Sequence, residues 1–338
     1  MHVTNELNER LNLRLPIVMA PMFLVSNEAM LFAAIESGIL AAFPSLNFRE
    51  EGSLHAILKS LNSKLLLQRN SGRPGNYAVN LIVQKSNPLF EKHLGICVDN
   101  KVPVYITSLG NPEKTIRAAH GYGAMVFCDV TNLKHAAKCH RLGCDGFVAV
   151  SHGAGGHAGN HPLPLLTESL RRHFPGKPIL AAGGIATGRA VLSSLASGAS
   201  AAYIGTRFIA SMESPVSESY KLAVLQSGMD DIVMTDRLSG TPCAVINTPY
   251  VKKIGLHQNF IERWLSRNHR TKKMFKTLVN IRGMKKLELA VKPGNYNNLW
   301  CAGQSVEMVD SILPVKEIIS RLENEFDEAA LEVKRLIG

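Results

Sequence analysis

Residues 178–207 read Pro178-Ile-Leu-Ala-Ala182-Gly183-Gly184-Ile185, then a helical pattern over 188–197, then Ala201-Ala-Tyr-Ile204-Gly205-Thr206-Arg207. Each of the two short apolar runs has the length of a buried strand and empties into glycine. The segment between them has helical spacing, so the whole is a strand–helix–strand unit. Glycine after a strand lets the backbone turn sharply or approach a ligand, and backbone N–H groups there can face an anion. A lone Gly-Gly marks turns everywhere. Two such loops on consecutive strands carry more information, provided their place in the series is known.

That place comes from counting backwards. Apolar runs at Leu15–Ala20, Ile39–Phe43, Tyr77–Ile82, Val102–Thr107, Met125–Val130 and Gly146–Val150 precede Pro178–Ala182 and Ala201–Ile204. Helical patterns lie between them, including Asn27–Ser37, Leu54–Leu61, 112–120, 133–142 and 165–174. Residues 62–76 are polar and glycine-containing and read as a long excursion. Eight short strands alternating with helices require a parallel sheet covered on both faces. An open doubly wound sheet satisfies that pattern. A closed (β/α)8 barrel satisfies it too, and barrels commonly bind phosphate with the loops after their seventh and eighth strands. Those are the two glycine loops, so the expected fold is an α/β (β/α)8 TIM barrel.

After the sixth strand comes Val150-Ser-His152-Gly-Ala154-Gly155-Gly156-His157-Ala-Gly159-Asn-His161. Histidine titrates near neutral pH and is the commonest acid–base side chain. Three readings compete: a polar surface loop, a metal site built from His152, His157 and His161, and a flat ligand lying against backbone beside one catalytic histidine. No carboxylate or cysteine accompanies the three imidazoles, which argues against a metal.

The chain has 338 residues, 46% hydrophobic and 19% charged, the composition of a well-buried globular protein. No apolar run approaches the roughly 20 residues of a membrane span. Met1-His-Val-Thr-Asn-Glu-Leu lacks the basic and apolar regions of a signal peptide, and the six cysteines form no CxxC pair. A cytoplasmic protein with free thiols is expected. The net charge of +11 is local. Twelve Lys and Arg against Glu262 and Glu288, between Val251 and Trp300, account for ten of those charges. The high pI is therefore no sign of nucleic-acid binding. That basic segment, with Phe260, Ile261, Trp264, Leu265, Met274, Phe275 and Leu278, reads as one or two amphipathic helices that cover the barrel or dock an acidic partner. Its lysines include Lys272, Lys273 and Lys276. The expected organisation is a barrel over 1–235, a basic, partly helical segment over 236–300, and a closing stretch over 301–338. The last contains Ala302-Gly303-Gln304 and a long helix, Val315–Ile337, packing back on the barrel.

Taken together, Ala20-Pro21-Met22, Ala154-Gly-Gly-His157-Ala-Gly159, Ala182-Gly183-Gly184-Ile185, Ile204-Gly205-Thr206-Arg207-Phe208 and Ala302-Gly303-Gln304 resemble the nitronate monooxygenases, FMN-dependent TIM-barrel flavoproteins. The resemblance implies FMN as cofactor. Ala20, Pro21, Met22, Asn80, Gly155, Gly156 and Gln304 would lie along the flavin ring. Gly183, Gly184, Gly205 and Thr206 would bind its phosphate, and His157 would be the catalytic base or orienting donor. It further implies a small-molecule nitronate and O2 as substrates, no metal, no nucleic acid and no membrane, in a monomer or homodimer. The same superfamily holds NAD(P)H-dependent reductases of enoyl-thioesters and quinones, so NAD(P)H or an acyl carrier protein is the alternative partner set. A non-catalytic flavin-binding protein is the third reading. Two positions depart from the pattern: Gly153 stands where many relatives carry an acid, and Asp129 where several carry a polar or basic residue.

Overall fold

In the computed structural model, which describes residues 1, 3–68, 72, 74–236, 242–257 and 299–338, eight parallel strands close into a barrel. Its strands are β1 (Ile17–Met19), β2 (Leu40–Pro44), β3 (Asn76–Ile82), β4 (Val104–Ser108), β5 (Met125–Val130), β6 (Gly146–Val150), β8 (Ile179–Ala182) and β9 (Ala201–Ile204). Closure is direct, with Val18 of β1 paired to Tyr203 of β9 and to Leu40 of β2. The fold is a (β/α)8 TIM barrel. No helix among the described residues is long and apolar enough to cross a membrane.

The barrel has two apolar compartments, which follow from the alternation of side chains along each strand. One set, including Val18, Leu40, Val104, Phe127, Val148 and Leu180, fills the lumen, and all six are fully buried. The other set faces the surrounding helices and merges with their apolar stripes. Helices α2 (Glu28–Glu36), α5 (Glu113–His120), α6 (Leu133–Arg141), α7 (Leu163–His173) and α8 (Gly188–Ala196) alternate with the strands. Asn27, Asn132 and Thr187 cap three of them, each side chain accepting from a first-turn N–H.

Several elements differ from the sequence-based expectation. Helix α3 runs from Ser53 to Leu67, well beyond Leu61, so the expected excursion over 62–76 begins inside a helix. The reason is visible in the spacing: Leu54, Leu58, Leu61 and Leu65 continue one apolar face onto the barrel. Helices α1 (Glu6–Leu11) and α4 (Phe90–Asp99) are additional. Helix α7 starts two residues earlier than expected, at Leu163, with Pro164 in its first turn. The closing helix, Val315–Ile337, lies across α8. A Cβ at Gly188 would sit 2.1 Å from the Leu322 carbonyl oxygen, so only glycine permits that crossing. Residues 237–241 and 258–298 of the expected basic segment lie outside the described residues, and with them the whole of its apolar set, from Phe260 to Leu278, and Lys272, Lys273 and Lys276.

Candidate active site at the mouth of the barrel

Strand β6 ends at Val150, and the chain then crosses the C-terminal mouth, where four separate segments converge. Ser151 is tied back to β8 by its N–H on the Ala182 carbonyl at 2.9 Å. The Gly184 N–H donates to the Gly153 carbonyl at 3.1 Å, joining the central loop to the loop after β8. The Gly303 N–H donates to Thr206 Oγ1 at 3.0 Å, joining the C-terminal Ala302-Gly303-Gln304 to the loop after β9 (Thr206 opens the short helix α9, Thr206–Ile209). Arg207 holds the same stretch further along, donating to the Ser311 carbonyl at 2.9 Å.

Backbone approaches backbone so closely here that two glycines have no substitute. A Cβ at Gly183, where φ is +125°, would lie 2.2 Å from Ser151 Oγ and 2.7 Å from the Ala154 nitrogen. A Cβ at Gly303 would lie 2.5 Å from the Gly153 carbonyl oxygen. The departure at Gly153 acquires a reason in the same geometry: a side chain there would press on Gly184 at 3.1–3.3 Å.

His157 does not sit in a free loop. Gly156–His157 form a two-residue strand, β7, that pairs antiparallel with β11 (Cys243–Ile246), itself paired with β10 (Ile232–Thr235). His157 lies opposite Cys243 in this register. The surrounding protein lowers its imidazole pKa by desolvation, although the residue retains more than a third of its own exposure. Neutral imidazole is thereby favoured at pH 7. His152 and His161 are exposed and linked only through the His152 N–H on the His161 carbonyl, 2.9 Å. The geometry does not draw the three histidines into one cluster, and no group of metal-ligating side chains occurs among the described residues.

The remaining residues singled out from the sequence fall around this mouth. Ala20 is buried at the end of β1, with Pro21 and Met22 half-buried beyond it, and the Met22 N–H donates to Ser26 Oγ at 3.0 Å. Gln304 is half-buried and opens the turn after Gly303. Gly155 lies against Ala302 and Gly303, where a Cβ would come within 2.7 Å. Asn80 is buried, but both hydrogens of its amide are already committed, to Ser108 Oγ at 2.7 Å and the Ile106 carbonyl at 3.2 Å. Asn80 therefore offers a ligand only its carbonyl oxygen. Ser108, the last residue of β4, was not anticipated, and it passes its own hydrogen to Asp129 Oδ2 at 2.5 Å.

The donor set fits an anionic, flat cofactor. None of the N–H groups of Gly183, Gly205 and Thr206 donates to another backbone carbonyl among the described residues. Gly184 has open space where a Cβ would be, and at Gly205 a Cβ would meet nothing closer than 3.7 Å. Unclaimed backbone donors beside open space, after the last two strands of a parallel barrel, are a set that can face an anion such as a phosphate.

Fold and mouth together define a TIM-barrel enzyme of the flavin-dependent oxidoreductase class. The family model for nitronate monooxygenase matches residues 63–325, and the chain belongs to that family. It is 28% identical, over 71% of its length and 67% of the relative's, to a Staphylococcus aureus protein named "Probable nitronate monooxygenase". It is 27% identical, over 75% of its length and 69% of the relative's, to a Mycobacterium tuberculosis protein named (3aS,4S,5R,7aS)-5-hydroxy-7a-methyl-1-oxo-octahydro-1H-indene-4-carboxyl-CoA dehydrogenase. Among solved structures, FabK from Thermotoga maritima superposes with a TM-score of 0.82 at 28% identity, covering 99% of this chain and 100% of that one. A nitroalkane oxidase from Streptomyces ansochromogenes shares the fold at a TM-score of 0.76 and 22% identity, over 97% of this chain and 100% of its own.

Proposed function

We propose that the mouth binds FMN and that the enzyme oxidises alkyl nitronates with O2, giving a carbonyl compound and nitrite. The observation that carries this reading is the convergence of the loops after β6, β8 and β9 with Ala302-Gly303-Gln304, around one histidine fixed by strand pairing. FMN, when bound, supplies the acceptor for substrate electrons and the reductant for O2.

The chain's own residues do the rest. Backbone N–H groups of Gly183, Gly205 and Thr206 hold the phosphate without adding a full charge. Ala20, Pro21, Met22, Gly155, Gly156 and Gln304 bound the ring's slot, and Asn80 presents its carbonyl oxygen from below. His157, neutral at pH 7, takes or holds a proton at its imidazole, a role worth on the order of 10²–10⁴-fold in rate. Its pairing with Cys243 fixes the backbone that aims it. No carboxylate orients it from position 153, where glycine stands and a Cβ would press on Gly184 at 3.1–3.3 Å.

A second reading has specific support. The Mycobacterium tuberculosis relative is named for a CoA thioester, and FabK superposes over nearly the full length of both chains. In that reading NAD(P)H would be the electron donor and an enoyl-thioester the acceptor, with an acyl carrier protein or CoA as carrier. Anaerobic mixing of the purified protein with propionate-3-nitronate, NADH and NADPH in turn separates the two. Flavin bleaching by the nitronate alone supports the monooxygenase. Bleaching by a reduced nicotinamide with no response to nitronate replaces it with the reductase.

A further inference from the structure

The lumen of the barrel is layered: apolar side chains fill its middle, and a row of polar ones enters in its last layer before the mouth. Two residues on from lumen-filling positions, β3 passes from Ala78 to Asn80, β4 from Ile106 to Ser108, and β5 from Phe127 to Asp129. Ala182 of β8 belongs to the same lumen cluster, with Val150 of β6 and Tyr203 of β9 packed against it. The floor of the mouth is thus apolar, apart from Tyr203 and one connected row: Asn80, Ser108, Asp129.

The row has a direction. The Asn80 amide donates to Ser108 Oγ, and Ser108, with one hydrogen, donates to Asp129 Oδ2. Both links leave Asp129 with a fixed orientation and one oxygen unused. That oxygen, Oδ1, is buried and has no hydrogen-bond partner. A buried carboxyl oxygen without a partner carries an uncompensated desolvation penalty. An unmet polar atom on the floor of a cofactor site is a place prepared for the ligand.

We propose that Asp129, positioned by Ser108 and Asn80, contacts the bound flavin from the barrel floor, and that its neutral form, donating the Oδ1 proton to an acceptor atom of the ring, favours the reduced over the oxidised ring. This rests on the flavin reading given above. The ring's edge is rich in carbonyl and nitrogen acceptors, and reduction adds negative charge. A neutral carboxyl stabilises that charge, whereas an ionised one repels it. The two electrons and the proton that the ring gains would come from the enzyme's substrate and bulk water. Asp129 keeps its own O–H bond where it is already neutral, and where it is ionised it takes up one further proton from bulk water as the ring is reduced.

The surroundings suit a carboxyl that keeps its proton. Burial pushes Asp129 up to about 6, with the Ser108 hydrogen bond working in the other direction. The titratable groups that sense its charge are Tyr203 on β9 and Cys139 on α6. Tyr203 is raised by burial, and Cys139 first by its hydrogen bond to Cys128 and then by burial, so both stay neutral. No Lys, Arg or His stands among Ala20, Asn80, Ser108, Val150, Ala182 and Tyr203 to hold the carboxylate ionised.

The test is the equilibrium between oxidised and reduced flavin in the FMN-loaded protein, read against a reference dye from pH 5 to pH 9. In the wild type, the constant for reduction should fall with pH more steeply above about pH 6 than in Asp129→Asn, by up to about tenfold per pH unit. Ser108→Ala, which removes the bond that lowers the carboxyl, should move that break to higher pH. Parallel pH lines for wild type and Asp129→Asn overturn the proposal. If Asp129→Asn fails to fold, a wild-type break that does not move in Ser108→Ala overturns it equally. Wild-type protein that takes up no flavin defeats this inference together with the flavin reading, whereas loaded protein without the break defeats this inference alone.

Discussion

The two ends of one barrel obey different rules. Deep in the lumen, Val18, Leu40, Val104 and Phe127 are fully buried and apolar, and the strands there serve packing. One step higher along the same strands stand Asn80, Ser108 and Asp129, with a buried oxygen left unpaired. Above them, the backbone is folded so tightly that Gly183 and Gly303 exclude any side chain. Strand register is shared, so the contrast comes from residue choice alone. The deep end is filled by packed apolar side chains, and the mouth carries a polar atom, Asp129 Oδ1, without a partner in the protein.

The contrast predicts separable effects. The largest is at the mouth: His157→Ala should keep bound flavin and lose turnover by on the order of 10²–10⁴-fold, with little change in unfolding midpoint. Normal turnover in that variant alongside a dead His152→Ala would transfer the role to the wrong side of the loop. At the deep end, Phe127→Ala should cost about 3–5 kcal/mol in denaturant unfolding, while kcat per folded molecule stays near the wild-type value. A Phe127→Ala enzyme of unchanged stability, or one folded but inactive, would erase the distinction between the two ends.

A smaller effect tests the row on the floor. A carboxyl raised to about 6 in the folded state gives stability that is complete below its unfolded pKa, near 3.9. That stability is lost as pH rises through about 6. Asp129→Asn cannot titrate, so cofactor-stripped Asp129→Asn should be more stable than wild type at pH 8, by roughly 1–3 kcal/mol, and the advantage should shrink towards pH 4. Urea midpoints at the two pH values measure it. An advantage that is the same at both would mean that Asp129 is not the group that titrates. The smallest effects are expected from His152→Ala and His161→Ala, both exposed, which should leave turnover within a small factor of wild type.

Much of the fold was legible because strand signals in a parallel barrel are local. The runs Met125–Val130, Gly146–Val150 and Ala201–Ile204 have the same bounds in sequence and structure, as does the closing helix Val315–Ile337. The pairing of Gly156–His157 with Cys243–Ile246 was not legible, since a two-residue strand has no periodicity and its partner lies about ninety residues away. The row Asn80–Ser108–Asp129 was half-legible. Asn80 and Asp129 each break an apolar run at a lumen-facing step, two residues beyond Ala78 and Phe127. Ser108 lies just past the expected end of its strand at Thr107, and only closure of the barrel brings it between the other two.

The central claim is that the glycine loops form a cradle for one flavin mononucleotide. The direct measurement is the absorption spectrum of the purified protein, followed by acid release and identification of the freed cofactor. The account predicts yellow protein that releases FMN, close to one per chain. Colourless protein that cannot be reconstituted with FMN, or one that releases FAD, would contradict it.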